Sequence, residues 1–92
     1  MAEHILKTVA GAWDAVERGD KRFEVRRNDR FFQPGDTVIL RRIMTGDPGP
    51  IRDYDGEFRD LTFRIGWFLQ GGQFGVEPGY CVFQLEPVRA AA

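Results

Sequence analysis

The spacing of apolar side chains predicts one short strand and then one helix at the start of the chain. Residues 4–7 form the predicted strand. Thr8 is a suitable N-cap for the helix, and Gly19 suits the left-handed position just beyond its end. The apolar residues between them recur at three- and four-residue intervals, as on one face of a helix. They are Val9, Ala12, Trp13 and Val16.

A two-residue alternation predicts a half-buried strand at residues 22–27. Phe23 and Val25 share one face, whereas Glu24 lies on the other face between two arginines. In such a strand the apolar face packs on the core and the charged face meets solvent.

Three more segments have the composition of strands. They are bounded by turn signals such as Pro34-Gly35-Asp36, and the last is apolar on both faces, which predicts an internal strand. The segments are residues 37–43, residues 59–69 with Leu61, Phe63, Ile65, Trp67 and Leu69 on one face, and residues 80–85.

Five strands and one helix in 92 residues predict a single α+β domain over residues 1–92. The simplest architecture is a small curled β-barrel of five to six strands with the N-terminal helix over one opening. Residues 4–85 are expected to form the ordered core, and residues 86–92 a flexible tail. Residues 45–56 are rich in Gly, Pro and Asp and predict a loop or hairpin tip.

Composition argues against several classes of protein. The chain has one cysteine, Cys81, and one histidine, His4, too few for a disulfide framework or for the four-ligand sites that zinc favours. It has no apolar run of about 18 residues and no secretory leader at its start. We therefore expect a cytoplasmic protein with no membrane segment, no metal and no cofactor.

Charge is distributed unevenly, although the net charge is only −1. Residues 21–30 contain five basic and two acidic side chains, a net +3, whereas residues 47–60 contain two basic and five acidic ones, a net −3. A basic patch is the electrostatic footprint of a protein that binds nucleic acid.

The most distinctive chemistry lies where the helix runs into the next strand. Gly19 lets the chain turn, Lys21 follows the turn, and Glu24 and Arg26 project from one face of the strand. A carboxylate between cations holds them in fixed directions, and such an array suits a phosphate, a carboxylate or a base edge. The alternative is ordinary salt bridging on an exposed strand, which contributes little.

Other candidates surround this segment. Lys7 precedes the helix, whose N-terminus attracts anions. Asn28 and Arg30 belong either to a binding loop with a stacking Phe or to a turn with one Phe in the core. The Tyr80 hydroxyl either reaches the cleft or caps the end of the barrel, and His4 is either an acid–base group or a hydrogen-bonded structural residue.

The pattern Gly19-x-Lys21-x-x-Glu24-x-Arg26 resembles the signature of ASCH domains, small β-barrels of the PUA-like superfamily. It is more similar still to an ASCH-related group of small bacterial and phage proteins of unknown function. That group has a His-x-Leu-Lys start, as at residues 4–7, and a basic run after Glu-x-Arg, as at residues 27–30. A Gly-Asp turn and a Gly-Tyr-x-Val strand start extend the resemblance over residues 4–85.

The resemblance implies a PUA-like barrel whose cleft, between barrel and helix, receives RNA or a nucleotide. Lys21, Glu24 and Arg26 would line this cleft, and Gly19 would shape its entry. Some ASCH proteins hydrolyse modified pyrimidine nucleosides with a Lys and a Thr three residues later. Glu24 occupies that later position here, so this activity is not expected, whereas a nuclease activity stays open.

The sequence is thus compatible with three functions. The first is a module that binds RNA, single-stranded nucleic acid or a nucleotide. The second is a hydrolase in which Lys21 positions or protonates the substrate and Glu24 is the general base, although neighbouring cations make Glu24 a weak base. The third is a protein-interacting accessory domain, which an exposed Trp67 or Phe68 would support. The expected binding residues are Lys7, Gly19, Lys21, Glu24, Arg26, Asn28, Arg30 and Tyr80.

Overall fold

A computed structural model describes residues 1–44 and 58–88 of the chain. The predicted loop at residues 45–56 and the last part of the predicted tail, residues 89–92, lie outside the described residues. The elements are β1 (Glu3–Val9), α1 (Ala10–Glu17), β2 (Phe23–Arg27), β3 (Thr37–Ile43), β4 (Asp60–Gln70) and β5 (Tyr80–Pro87). Each predicted element is therefore present, and β5 continues past Leu85 into the segment predicted as tail.

The five strands form one sheet in the order β1-β3-β4-β5-β2. β1 pairs with β3 in parallel, and the other neighbouring strands are antiparallel. The sheet curls into a half-barrel, which confirms the predicted α+β class with one helix and a small curled sheet. β5 is internal, as its apolar composition predicted, and β1 and β2 are the two edges of the sheet.

The helix α1 closes the inside of the curl against β1 and β3. Its buried face presents Trp13 and Val16, and the Trp13 indole N–H donates to the Leu40 carbonyl at 2.8 Å. This bond satisfies the only polar atom of the largest buried side chain, so the indole ring is buried without leaving a hydrogen-bond donor unsatisfied. The rest of the buried core consists of Leu6, Phe32, Val38, Leu40, Ile65, Cys81, Phe83 and Leu85.

The two ends of α1 differ from each other in how far they follow the prediction. Thr8 is not the N-cap: β1 continues to Val9 because it stays paired with β3 through Ile43, and the Thr8 hydroxyl donates to the Leu6 carbonyl. Gly19 does end the helix. Its φ is +88°, and the amides of Gly19 and Asp20 donate to the carbonyls of Val16 and Ala15. This is the Schellman pattern, which favours glycine.

The faces of β2 are the reverse of the predicted ones. Phe23 and Val25 are 48% and 52% exposed, whereas Glu24 is only 3% exposed. The hydrophobic pattern misleads here because β2 is an edge strand whose inner face contacts the long side chains of Lys21 and Arg26 instead of an apolar layer. The charged face of β2 is thus the inner one.

A bulge also changes the faces of β4. Ile65 pairs with Leu85 and Phe68 with Phe83, so three steps along β4 oppose two steps along β5. The extra residue moves Trp67 and Leu69 to the outer face and turns Phe68 inward onto the core. The prediction that Trp67 and Leu69 share a face with Ile65 is therefore wrong, and Trp67 is 67% exposed.

Candidate functional site at the seam of the half-barrel

The two edge strands face each other across a seam that arginine side chains bridge. Arg26 of β2 donates from Nη2 to the Lys7 carbonyl at 3.1 Å, and Arg30 donates from Nη1 to the Ile5 carbonyl at 2.7 Å. Ile5 and Lys7 are two residues apart on β1, so both carbonyls point away from β3 on the free edge. The guanidinium groups thus supply donors that a neighbouring strand would otherwise provide.

Glu24 is the centre of the charged network at this seam. Its Oε1 accepts a hydrogen bond from Lys21 Nζ at 2.6 Å, and its Oε2 accepts one from Arg26 Nε at 2.8 Å. The Glu24 side chain is nearly buried, whereas the two cations keep about a quarter of their surface exposed. Glu24 is therefore a buried counter-charge that fixes the direction of two cations at the solvent boundary.

Arg26 is fixed at several points. Besides its bonds to Glu24 and to the Lys7 carbonyl, its Nη2 donates to the Thr8 hydroxyl at 3.2 Å. That hydroxyl in turn donates to the Leu6 carbonyl. A guanidinium has five N–H donors, and among the described residues the two on Arg26 Nη1 have no partner. A rigid arginine that keeps about a quarter of its surface exposed and has spare donors is suited to bind an oxyanion.

Lys21 is also held in place with one donor to spare. Its ammonium group donates to the Phe23 carbonyl at 2.6 Å as well as to Glu24, and it lies 5.0 Å from the centre of the Phe23 ring. An ammonium has three N–H donors, so among the residues that the structure describes one donor of Lys21 remains without a partner. Lys21 thus presents a positive charge whose position is set by the backbone of β2.

These groups line a concave surface of about 340 Å³, which we call the seam cleft. Its charged side chains are three cations and one carboxylate, so their sum is positive. Within the described parts of the chain the Lys7 ammonium makes no hydrogen bond or ion pair. The full lining is Lys7, Thr8, Val9, Ala12, Lys21, Glu24, Val25 and Arg26.

Four of the eight expected binding residues meet in the seam cleft, namely Lys7, Lys21, Glu24 and Arg26. Gly19 forms the turn that delivers Lys21, and it lines a neighbouring pocket at the end of α1. The other three, Asn28, Arg30 and Tyr80, lie outside both surfaces.

Asn28 and Arg30 have structural contacts. The Asn28 side-chain oxygen accepts the Phe32 amide at 3.1 Å, and its amide group donates to Gln70. Phe32 is in the core and Phe31 is exposed, as the alternative of a turn with one core Phe predicted. The Arg30 side chain spans the seam outside the cleft, where it donates to the Ile5 carbonyl.

Tyr80 lies on the opposite face of the sheet from Glu24. It pairs with Arg27 of β2, and paired residues share a face of a sheet, whereas Glu24 and Arg26 occupy the other face. The Arg27 guanidinium lies 5.5 Å from the centre of the Tyr80 ring. Of the two alternatives for the Tyr80 hydroxyl, the one in which it reaches the seam cleft is therefore wrong in this structure.

One cleft residue, Thr8, was missed as a binding candidate. Its sequence signal, a small hydroxyl residue before a helical pattern, is that of an N-cap. The hydroxyl meets Arg26 only because β1 and β2 are brought together by the curl of the sheet. No local sequence pattern predicts that β1 and β2 come close together.

His4 and Cys81 lie away from the cleft. His4 is buried, with its Nε2 2.9 Å from Asp36 Oδ2 and its ring packed edge-on against Phe32. Cys81 is fully buried, and its burial raises the pKa of the thiol. Both therefore have the environment of structural residues.

Among residues 1–44 and 58–88, no group of three or more His, Cys, Asp or Glu side chains is placed to hold a metal ion. Within the same ranges no helix has the length and apolar character needed to cross a bilayer.

The fold and the site define a small α+β protein whose curled half-barrel carries a charged cleft where its edge strands meet. The chain belongs to the family described as a domain of unknown function, DUF3850, whose model matches residues 3–85. No curated protein matches the sequence. The family description names no ligand, so function has to be argued from the cleft itself.

Proposed function

We propose that the protein binds RNA or a nucleotide, with a phosphate group in the seam cleft. The observation that carries the proposal is the convergence of Lys7, Lys21 and Arg26 on one concave surface. Two of these cations are held by Glu24, so they need little reordering to meet an anion. Phosphate offers several acceptor oxygens, which matches the spare donors of Lys21, Arg26 and Lys7.

Glu24 has the contacts of a recognition residue more than of a general base. Each of its oxygens already accepts a hydrogen bond from a cation, so proton abstraction would require one of these bonds to break. This supports a binding module over a hydrolase.

We also propose that the family is ASCH-related and PUA-like. The support is that the three signature side chains Lys21, Glu24 and Arg26 form one network inside a curled sheet. A reducing cytoplasm suits the lone, buried thiol of Cys81.

The proposal predicts binding that weakens steeply with salt. A labelled RNA oligonucleotide titrated by fluorescence anisotropy at two salt concentrations should lose affinity as salt rises, because each phosphate contact releases counterions. Lys21→Ala should weaken binding about tenfold and lower the salt slope by about one. The matched control is Arg18→Ala, which removes an exposed cation outside the cleft that pairs with Asp20.

Two outcomes would contradict this function. One is affinity that does not change with salt, and the other is the absence of binding of RNA and of any nucleotide at millimolar concentration. Equal losses in Lys21→Ala and Arg18→Ala would indicate a diffuse charge effect and not the seam cleft.

The outer face of the sheet favours a second candidate function, a protein-interacting domain. Apolar side chains of β2, β4 and β5 share that face, and we call them the outer patch. Trp67 is its most exposed side chain, and this is the feature predicted to support such a role. The patch consists of Phe23, Val25, Trp67, Leu69, Tyr80 and Val82.

An exposed apolar face can pair with the same face of a second copy, so a second copy of this chain is the partner to test first. Sedimentation velocity over a range of concentrations should then show a dimer, and Trp67→Lys should abolish it. Thr62→Lys, which changes another exposed position on β4, is the control. A monomer at all concentrations would exclude a second copy of this chain as the partner.

A further inference from the structure

A second concave surface lies next to the seam cleft, at the C-terminal end of α1. Its volume is about 400 Å³, and Lys21 lines both surfaces. We call it the helix-end pocket. Its defining residues are Val16, Lys21, Arg22, Phe63, Leu85 and Pro87.

The walls of the helix-end pocket are mainly apolar. Val16 and Leu85 belong to the buried core, and Phe63 packs against that core from β4. Such walls suit a flat ring, because a ring removes much apolar surface from water on entering and can pack on the Phe63 side chain.

The rim of this pocket carries two cations, Lys21 and Arg22, and one carboxylate, Glu86, so the sum of its charges is positive. Lys21 is held by Glu24 as described, and Arg22 donates from Nε to the Gly19 carbonyl at 3.1 Å. Among the described residues the terminal amino groups of Arg22 have no partner. The pocket therefore combines an apolar interior with a charged rim, and Lys21 is the cation that it shares with the seam cleft.

We propose that the ligand is a nucleoside phosphate that occupies both surfaces, with its phosphate in the seam cleft and its base in the helix-end pocket. This inference rests on the proposed function and deepens it. Lys21 lies between the two parts, so one ammonium contacts the phosphate while its side-chain stem borders the base. A single nucleotide is then a sufficient ligand, and a longer strand adds only further phosphate contacts.

The test compares inorganic phosphate with a nucleoside monophosphate on the full chain. In two-dimensional amide NMR, phosphate should shift signals of the seam cleft, such as Thr8 and Arg26. The nucleotide should also shift signals of the helix-end pocket, such as Val16 and Leu85. Its affinity should exceed that of phosphate by about tenfold or more, since a stacked base adds its own contacts.

Phe63→Leu tests the base site directly. This variant keeps an apolar wall but removes the ring, so nucleotide affinity should fall about tenfold or less while phosphate affinity stays unchanged. Phe68→Leu is the matched control, because Phe68 lies on the same strand and packs on the same core but borders neither surface. The melting temperatures of the two variants report whether both are folded.

The outcomes separate this inference from the function on which it rests. If phosphate and nucleotide bind equally and only seam-cleft signals move, the base site is wrong and the seam cleft stands. Equal nucleotide losses in Phe63→Leu and Phe68→Leu would also overturn the base site. If neither ligand binds, both proposals fail.

Discussion

Replacing Glu24 with alanine is expected to lower the free energy of unfolding by about 3 kcal/mol, because it leaves two partly buried cations without their counter-charge. The Glu24 carboxylate is nearly buried and accepts hydrogen bonds from Lys21 and Arg26. Both cations are about three-quarters buried, so solvent replaces the lost contacts only in part. Urea denaturation followed by circular dichroism measures the change, with the slope of the transition as a check that unfolding stays two-state.

The same substitution should weaken the seam between β1 and β2. Arg26 also bonds the Lys7 carbonyl and the Thr8 hydroxyl, and Glu24 sets the direction from which it does so. Hydrogen exchange should therefore speed up at the amides of β2 before it does so in β3 and β4. Uniform exchange throughout the sheet would contradict this role.

Glu3→Ala is the control for Glu24→Ala. Glu3 is an exposed carboxylate on β1 with no ion pair among the described residues, so its loss should change stability by less than about 0.5 kcal/mol. If Glu24→Ala behaved like Glu3→Ala, the charged network would be a surface salt bridge of little consequence, which is the alternative that the sequence left open.

The sequence predicts the elements of this fold better than their faces. A three- and four-residue apolar period and a glycine stop define α1, and turn residues separate the strands, because these signals are local. The faces of β2 and β4 depend on non-local facts. β2 lies at an edge next to long charged side chains, and β4 contains a bulge that is set by its pairing with β5. Neither fact has a signature in the apolar pattern.

The residues of the candidate site show the same difference between local and non-local signals. Lys21, Glu24 and Arg26 are close in sequence, and a turn followed by a strand brings them together whatever the rest of the fold does. Thr8 joins them only through the curl that brings β1 to β2. Tyr80 was expected near them, yet its pairing with Arg27 places it on the opposite face. One step of register decides that outcome, and the sequence does not state the register.

Asp36→Asn is expected to cost about 2 to 3 kcal/mol at neutral pH, and this cost should shrink as the pH falls below the ordinary carboxyl pKa. Asp36 is buried at the turn before β3. One of its oxygens accepts the Ala2 amide at 3.1 Å, and the other accepts the Gln33 amide at 3.1 Å and lies 2.9 Å from His4 Nε2. An asparagine side chain has one carbonyl oxygen, so it cannot accept on both sides.

The pH dependence follows from the direction of the Asp36 pKa. Burial alone would raise this pKa, but the hydrogen bonds from His4, Ala2 and Gln33 outweigh burial and hold it below the ordinary value of 3.8. A carboxyl whose pKa is lower in the folded state stabilises the fold fully above its unfolded pKa. That stabilisation is lost as the pH falls through the folded pKa. Wild type and Asp36→Asn should therefore differ most at neutral pH and converge in acid.

The variant Asp29→Asn is the control that shows whether the pH effect is specific to the Asp36 carboxyl or common to acid unfolding. Asp29 is exposed and makes no hydrogen bond or ion pair among residues 1–44 and 58–88, so its variant should match the wild type at every pH within about 0.5 kcal/mol. Urea titrations of the three proteins from neutral pH down to about one unit below the ordinary carboxyl value make the comparison. A gap between wild type and Asp36→Asn that stayed constant down to the lowest pH would mean that the cost does not depend on ionisation of the Asp36 carboxyl. The carboxylate would then not be what ties the start of β1 to the turn before β3.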